Sequence, residues 1–213
     1  MKVARALKGV AFSVTTILLL SSCGPSTLSN DETPESTTYI PIITISPNAT
    51  TNAPTKKDNS QEIEKYKQKL EFTYDDIDEI TWIYARGQKK EISDFTCYVY
   101  IGQDKTHSWL RFKLGFHRDS WIFMNSVKLK SGNNLFEYVL KSGDRESNVS
   151  RGIYEWFDIL LTDAMATNLR RVCGDAETKV RCRGDTYYED FTLTKDQKKN
   201  INIILDYYDL ITG

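Results

Sequence analysis

Phe95-Thr96-Cys97-Tyr98-Val99-Tyr100-Ile101 and, a few residues later, Trp109-Leu110-Arg111-Phe112-Lys113-Leu114 decide the fold class of this chain. In both stretches the side chains change character with a period of two, the signature of a half-buried strand. Phe95, Cys97, Val99 and Ile101 fall on one face, and Thr96, Tyr98 and Tyr100 on the other. Leu110, Phe112 and Leu114 likewise oppose Trp109, Arg111 and Lys113. Two such strands with a short polar connection predict an antiparallel pair.

Working outward, Ile80, Trp82 and Tyr84 alternate with Thr81 and Ile83 as a further strand. Trp121 to Leu129 and Leu135 to Leu140 predict two more, joined through Ser131-Gly132-Asn133-Asn134, a strong turn signal. Asn59 with Glu62 three residues on predicts a helix start, with Ile63, Tyr66 and Leu70 along one face. Ile153 to Leu161 fits either a strand or a helix and is read as a strand ending near Thr162 or Asp163, either of which can cap a helix carrying Ala166, Leu169, Val172 and Cys173. Gly174 suits the end of that helix. Val180 and Cys182 then alternate with Lys179, Arg181 and Arg183 in a short basic-faced strand, with a partner through Tyr187-Tyr188. Thr194 and Gln197 form a capping box opening a last helix with the stripe Ile201, Ile204, Leu205 and Tyr208. The expected fold is α+β, one globular domain over 61–213: an antiparallel β-sheet meander with an N-terminal helix and a C-terminal helix-strand-strand-helix.

The segment before this domain has a different composition. Lys2, Arg5 and Lys8 precede an apolar run from Val10 to Leu20, which ends in Leu20-Ser21-Ser22-Cys23-Gly24. The run is about a dozen residues, the size of a signal-peptide core and short of the roughly 20 residues that span a bilayer. From Gly24 to Ser60, Ser, Thr, Asn and Pro dominate, and all 5 prolines of the chain lie there. Such a stretch buries too little apolar surface to offset its chain entropy and is expected to be a disordered tether, with an r.m.s. span of roughly 30–35 Å.

Leu20, two small residues and Cys23 resemble the lipobox of bacterial lipoproteins. That resemblance implies a signal peptide over 1–22, a diacylglyceryl group on the Cys23 thiol, and a lipidated cysteine with tether over 23–60. It places the domain on the exported side of the cell envelope, with the membrane as partner through Cys23. Two or three acyl chains suffice for stable anchoring without a spanning helix.

Charge narrows the partners. The net charge is −1, and residues 61–213 carry 23 basic and 25 acidic side chains. A near-neutral domain gives no reason to expect nucleic acid. His107 and His117 stand ten residues apart with no HExxH or CxxC spacing, so no metal is expected, and no sequence motif implies a cofactor. The acidic run Asp75, Asp76, Asp78 and Glu79 lacks the calcium-loop spacing. No nucleophile motif is present, which leans away from an enzyme, although carboxylate pairs of the glycosidase kind meet only in a fold.

Three features remain. With Cys23 lipidated, Cys97, Cys173 and Cys182 are left; the spacing of Cys173 and Cys182 allows a disulfide, and Cys97 reads as a small buried hydrophobe. Arg183-Gly184-Asp185 spells an integrin-binding tripeptide, but a glycine turn is the expected role. Tyr98, Tyr100 and Trp109, beside Arg111, sit on the non-core side of their strands. They form a candidate binding face for a protein or glycan ligand, unless the C-terminal helices cover it as a second core layer. The expected function is a non-catalytic binding or envelope-associated domain on a lipid anchor, the alternative being a glycan-binding module or carboxylate-dependent glycan hydrolase.

Overall fold

A computed structural model describes residues 59–174 and 176–213. The expected signal peptide, Cys23 and all but the last two residues of the expected tether therefore lie outside the described residues. Helix α1 (Ser60–Lys67) leads into strands β1 (Leu70–Asp75), β2 (Ile80–Ala85), β3 (Phe95–Gln103) and β4 (Ser108–Arg118), an antiparallel run in which each pairs with the next. Strands β5 (Ser126–Ser131) and β6 (Asn134–Val139) follow, then β7 (Arg145–Val149) and β8 (Ile153–Leu160). Helix α2 (Asp163–Val172), strands β9 (Lys179–Arg183) and β10 (Tyr188–Thr192), and helix α3 (Lys195–Thr212) complete the chain. The fold is α+β, as the alternation and capping signals require. No helix among the described residues is long and apolar enough to cross a membrane.

The strands form two sheets rather than one meander. One has the order β1-β2-β3-β4-β8-β7, the other β10-β9-β5-β6. The break comes at 119–125, where the pattern from Trp121 predicts strand. Strand β5 begins only at Ser126, and Phe123 has φ 54, a left-handed conformation that a continuous strand does not use. A buried carboxylate fixes this crossing. Glu155 of β8 has no exposed surface, and it accepts hydrogen bonds from the backbone N–H of Ile122 (2.8 Å), Phe123 (3.2 Å) and Met124 (2.6 Å). Asn125 then donates its N–H to the Arg183 carbonyl at 2.7 Å, which brings β5 alongside β9. Gly184 is packed so closely that a Cβ there would lie 1.7 Å from the Ile122 carbonyl oxygen. Asp185 accepts from the Asn125 side chain at 2.6 Å, so the Arg183-Gly184-Asp185 turn is built into this junction.

The core lies between the inner faces of the two sheets. Phe112 meets Phe136 and Phe157 edge-on, each pair at 5.5 Å between ring centres. Phe95 stacks on Phe191 at 4.3 Å. Helix α3 closes the side of β2 and β3 that carries Ile83, Cys97, Val99 and Ile101, and Ile201, Ile204 and Leu205 join that same buried cluster. Tyr207 is buried against Phe72, and Tyr208 is half-buried, its hydroxyl donating to the Ser108 carbonyl. The Thr194 capping box is formed, with Gln197 N donating to Thr194 Oγ1 and Thr194 N to Gln197 Oε1. Thr162 caps α2, and the carbonyls at and just past its C-terminus, those of Val172, Cys173 and Gly174, accept from Thr178, Asn202 and Lys198 respectively.

Four local expectations differ. Helix α1 ends at Lys67, so Leu70 opens β1 instead of continuing the helical face. Asn59 occupies the N-cap without a side-chain cap bond. In β2 the core residues are Ile83 and Ala85, and the bulkier Trp82 and Tyr84 face the other way. Cys97, Cys173 and Cys182 are buried free thiols, so the Cys173–Cys182 bridge that the spacing allows is not formed in this structure. Burial raises all three thiols above their ordinary value, Cys173 to about 12.

Candidate functional site

The face of the six-stranded sheet that points away from the core gathers the residues singled out in the sequence. Cross-strand register aligns Tyr98 with Lys113, Tyr100 with Arg111, and Arg111 with Leu160 next to Asp158. The C-terminal helices do not cover this face. Helix α3 packs on the Cys97, Val99 and Ile101 side, so the tyrosines owe their burial to their own neighbours. Tyr98 is 3% exposed and Tyr100 7%.

Those neighbours are mostly aromatic. Tyr84 stacks on Tyr100 with ring centres 5.1 Å apart and an interplanar angle of 13°. Trp82 lies 5.6 Å from Tyr100 and meets Trp109 edge-on at 6.1 Å. Trp109 lies down over Gly102, where a Cβ would come within 2.4 Å of the indole. Lys90 sits 4.2 Å above the Tyr84 ring and pairs with Glu71 at 2.9 Å. Trp82, Tyr84 and Trp109 remain half-exposed, so the accessible aromatic surface is theirs rather than that of Tyr98 and Tyr100.

Beneath this row lies a charged triad. The Tyr100 hydroxyl donates to Asp158 Oδ2 at 2.6 Å, and Arg111 Nε donates to Tyr100 Oη at 2.9 Å and Asp158 Oδ1 at 2.8 Å. Arg111 also donates to the Asp158 carbonyl at 3.0 Å. Burial, and then the hydrogen bond to the Asp158 carboxylate, push the Tyr100 hydroxyl far above the usual phenol range. Both Asp158 carboxylate oxygens are thereby engaged within the triad, where they position Arg111 and Tyr100.

Beside the triad the face opens into a cleft of about 430 Å³. Its walls are Tyr154 and Trp156 of β8, Asn148 of β7, Lys113 of β4, and the segment Lys90-Glu91-Ile92. Gly115, opposite Trp156, has no side chain, which lets Trp156 and Ile92 close over its backbone; a Cβ there would lie 2.6 Å from the Trp156 Cβ. His117 stacks on Tyr154 at 4.4 Å, and its Nε2 lies 3.1 Å from the Arg151 carbonyl. Gly152 has φ +129, and a Cβ there would meet the His117 ring at 2.0 Å, so both space and backbone require glycine.

No family model, curated protein or solved structure matches this chain. The site therefore rests on its own geometry. Sequence reading found Tyr98, Tyr100, Trp109 and Arg111, and the structure does bring them together. It missed Trp82, Tyr84, Tyr154, Trp156 and Asp158. The alternation of Tyr154, Trp156 and Asp158 against Ile153, Glu155 and Phe157 was visible, but their place beside β4 follows from a pairing between strands some forty residues apart. His107 is exposed at the β3–β4 turn, where Asp104 Oδ1 accepts from the Thr106 and His107 N–H groups. Among the described residues no group of three or more His, Cys, Asp or Glu side chains is placed to hold a metal ion.

Proposed function

We propose that this chain is an exported bacterial lipoprotein, held at a membrane by lipid on Cys23, whose folded domain binds a glycan without catalysis through the outer face of its six-stranded sheet. The observation that carries the binding reading is the cleft on that uncovered face, where Tyr154 and Trp156 stand beside Lys90, Lys113, Glu91 and Asn148. Flat rings offer an apolar surface to the C–H faces of a sugar, while amide, carboxylate and ammonium groups around them satisfy its hydroxyls. Asp158 is committed to Arg111 and Tyr100, which favours binding over carboxylate-driven hydrolysis. The anchor reading is supported by the lipobox-like Leu20-Ser21-Ser22-Cys23.

Cosedimentation with purified peptidoglycan tests the ligand class. Trp156→Ala is expected to weaken binding about tenfold, equivalent to about 1.4 kcal/mol, with the circular dichroism spectrum retained. Undiminished binding by that variant would overturn the assignment of the cleft. Metabolic acyl labelling tests the anchor: Cys23→Ser should abolish it, because serine lacks the acylated thiol, and equal labelling of both proteins would overturn the lipoprotein reading.

A further inference from the structure

The outward face of the four-stranded sheet takes no part in the site above, and its charge is distributed unlike that of the rest of the domain. Its basic side chains are collected on the two central strands. Lys130 lies directly opposite Lys179, and Lys128 opposite Arg181, with Arg183 at the end of the same strand. Like charges directly opposite in an antiparallel pair are destabilising, so this arrangement is unfavourable for folding alone. The edge strands compensate in part. Glu137 pairs with Lys128 at 2.8 Å, and Asp190 pairs with Arg181 at 2.7 Å. Among the described residues Lys179 has only Glu177, at 3.7 Å, and no carboxylate pairs with Lys130 or Arg183.

The central strands thus present a positive stripe in a domain of slightly negative net charge. A cleft of about 530 Å³ runs over it, lined by Lys128, Lys130, Lys179 and Arg181. On the same face of the edge strand β6, Leu135 is 49% and Val139 67% exposed. Basic groups flanked by exposed aliphatic side chains on one sheet face match a layer of anionic headgroups over hydrocarbon.

We propose that this face docks onto the anionic phospholipid surface of the membrane that holds the chain. The inference rests on the lipid-anchor reading. About 37 residues separate Cys23 from the first helix, and the tether expected from their composition would reach roughly 30–35 Å. A domain of this size has a radius of gyration of about 15 Å, so that reach lets any face turn to the bilayer. Each basic side chain brought to such a surface strengthens the association roughly fivefold.

The test uses the full chain as isolated from membranes, reconstituted into vesicles of phosphatidylcholine with or without phosphatidylglycerol. Lysine reactivity toward a water-soluble acylating reagent is mapped by mass spectrometry. Lys130 and Lys179 are expected to react at least about fivefold more slowly on the anionic vesicles. Lys65 and Lys105 should react equally on both, and the protection should vanish near 1 M salt, where the Debye length is about 3 Å. The double variant K130Q/K179Q should lose the protection of Lys128 while keeping its unfolding midpoint, since it removes a like-charge pair. Equal reactivity on both vesicles, or equal protection of Lys105, would overturn the docking. Equal protection by soluble polyphosphate without vesicles would overturn it in favour of a polyanionic polymer. Acyl labelling of Cys23 in the same sample separates the two readings. A labelled chain without protection defeats the docking alone, and a protected chain without label defeats the anchor alone.

Discussion

Replacing Glu155 tests whether one buried carboxylate holds the two sheets together. Its Oε1 accepts from Ile122 N and Phe123 N, and its Oε2 from Met124 N. Ile122 and Met124 are 4% and 1% exposed, so their N–H groups have no ready access to water if the carboxylate is lost. Glu155→Ala leaves those two donors unsatisfied and opens a void; at about 1–3 kcal/mol per stranded donor, the expected loss is about 3–5 kcal/mol. Glu155→Gln is the sharper perturbation. Its amide oxygen can keep Ile122 and Phe123, but its NH₂ then faces the Met124 N–H, donor against donor. The loss of one charge-assisted bond and the new mismatch should cost about 2–3 kcal/mol. With an m-value of about 2 kcal/mol/M in urea, the Gln variant should unfold with its midpoint lowered by about 1–1.5 M and m unchanged. Glu146→Gln, on the exposed edge strand β7, serves as control and should stay within about 0.5 kcal/mol. A Gln midpoint within about 0.2 M of the parent would refute the reasoning, because the carboxylate would then be replaceable by any acceptor of its shape.

Two further outcomes follow from the aromatic face and its surroundings. Trp109→Ala should cost about 1–2 kcal/mol in the same urea assay, since the indole is half-buried over Gly102 and against Trp82. A loss of 3–5 kcal/mol would mean that a further layer covers it, and a loss below about 0.5 kcal/mol would mean that it packs on nothing. Tyrosine ionisation should be split between native and unfolded protein. Burial, followed by the hydrogen bond to Asp144, raises Tyr138 to about 12, and burial raises Tyr98 and Tyr100 still further. Their folded values lie above the unfolded value near 10, so the stability they contribute is whole below about pH 10 and is lost as the pH climbs through the folded values. Absorbance titration should therefore show some of the 12 tyrosines ionising only as the chain unfolds. Simultaneous ionisation of all of them in native protein would contradict the packing.

How much of this was legible in the sequence depended on how local the cause was. The strands β3 and β4, the Thr162 and Thr194 caps and the stripe of α3 are set by residues within a few positions of one another, and all could be found. Strand β7 could not, because its five residues are all exposed and carry no apolar alternation. The division into two sheets was equally invisible. It depends on Glu155 reaching three backbone amides about thirty positions earlier, and nothing near Glu155 marks it as an inward-facing acid. The tyrosine face was found, but its cover was misplaced. Ile201, Ile204 and Leu205 do need an apolar surface, and they find it on the Cys97, Val99 and Ile101 side. The basic stripe was hidden by averaging, since a net charge does not record which strands its charges occupy.

The three sealed thiols impose an order on the life of the chain. Thiolate is the species that is oxidised, and Cys97, Cys173 and Cys182 are buried with their ionisation suppressed, so native protein offers an oxidant almost nothing. The unfolded chain offers all three at ordinary reactivity, open to pairing with one another or with a thiol elsewhere. In an oxidising compartment folding therefore races thiol chemistry. A molecule that closes its sheets first keeps these three thiols reduced, whereas a slow one is diverted into mixed disulfides from which the native packing cannot form. Any substitution that slows closure, above all at Glu155, should show itself first as covalent dimers on a non-reducing gel, before any change in equilibrium stability is large enough to notice.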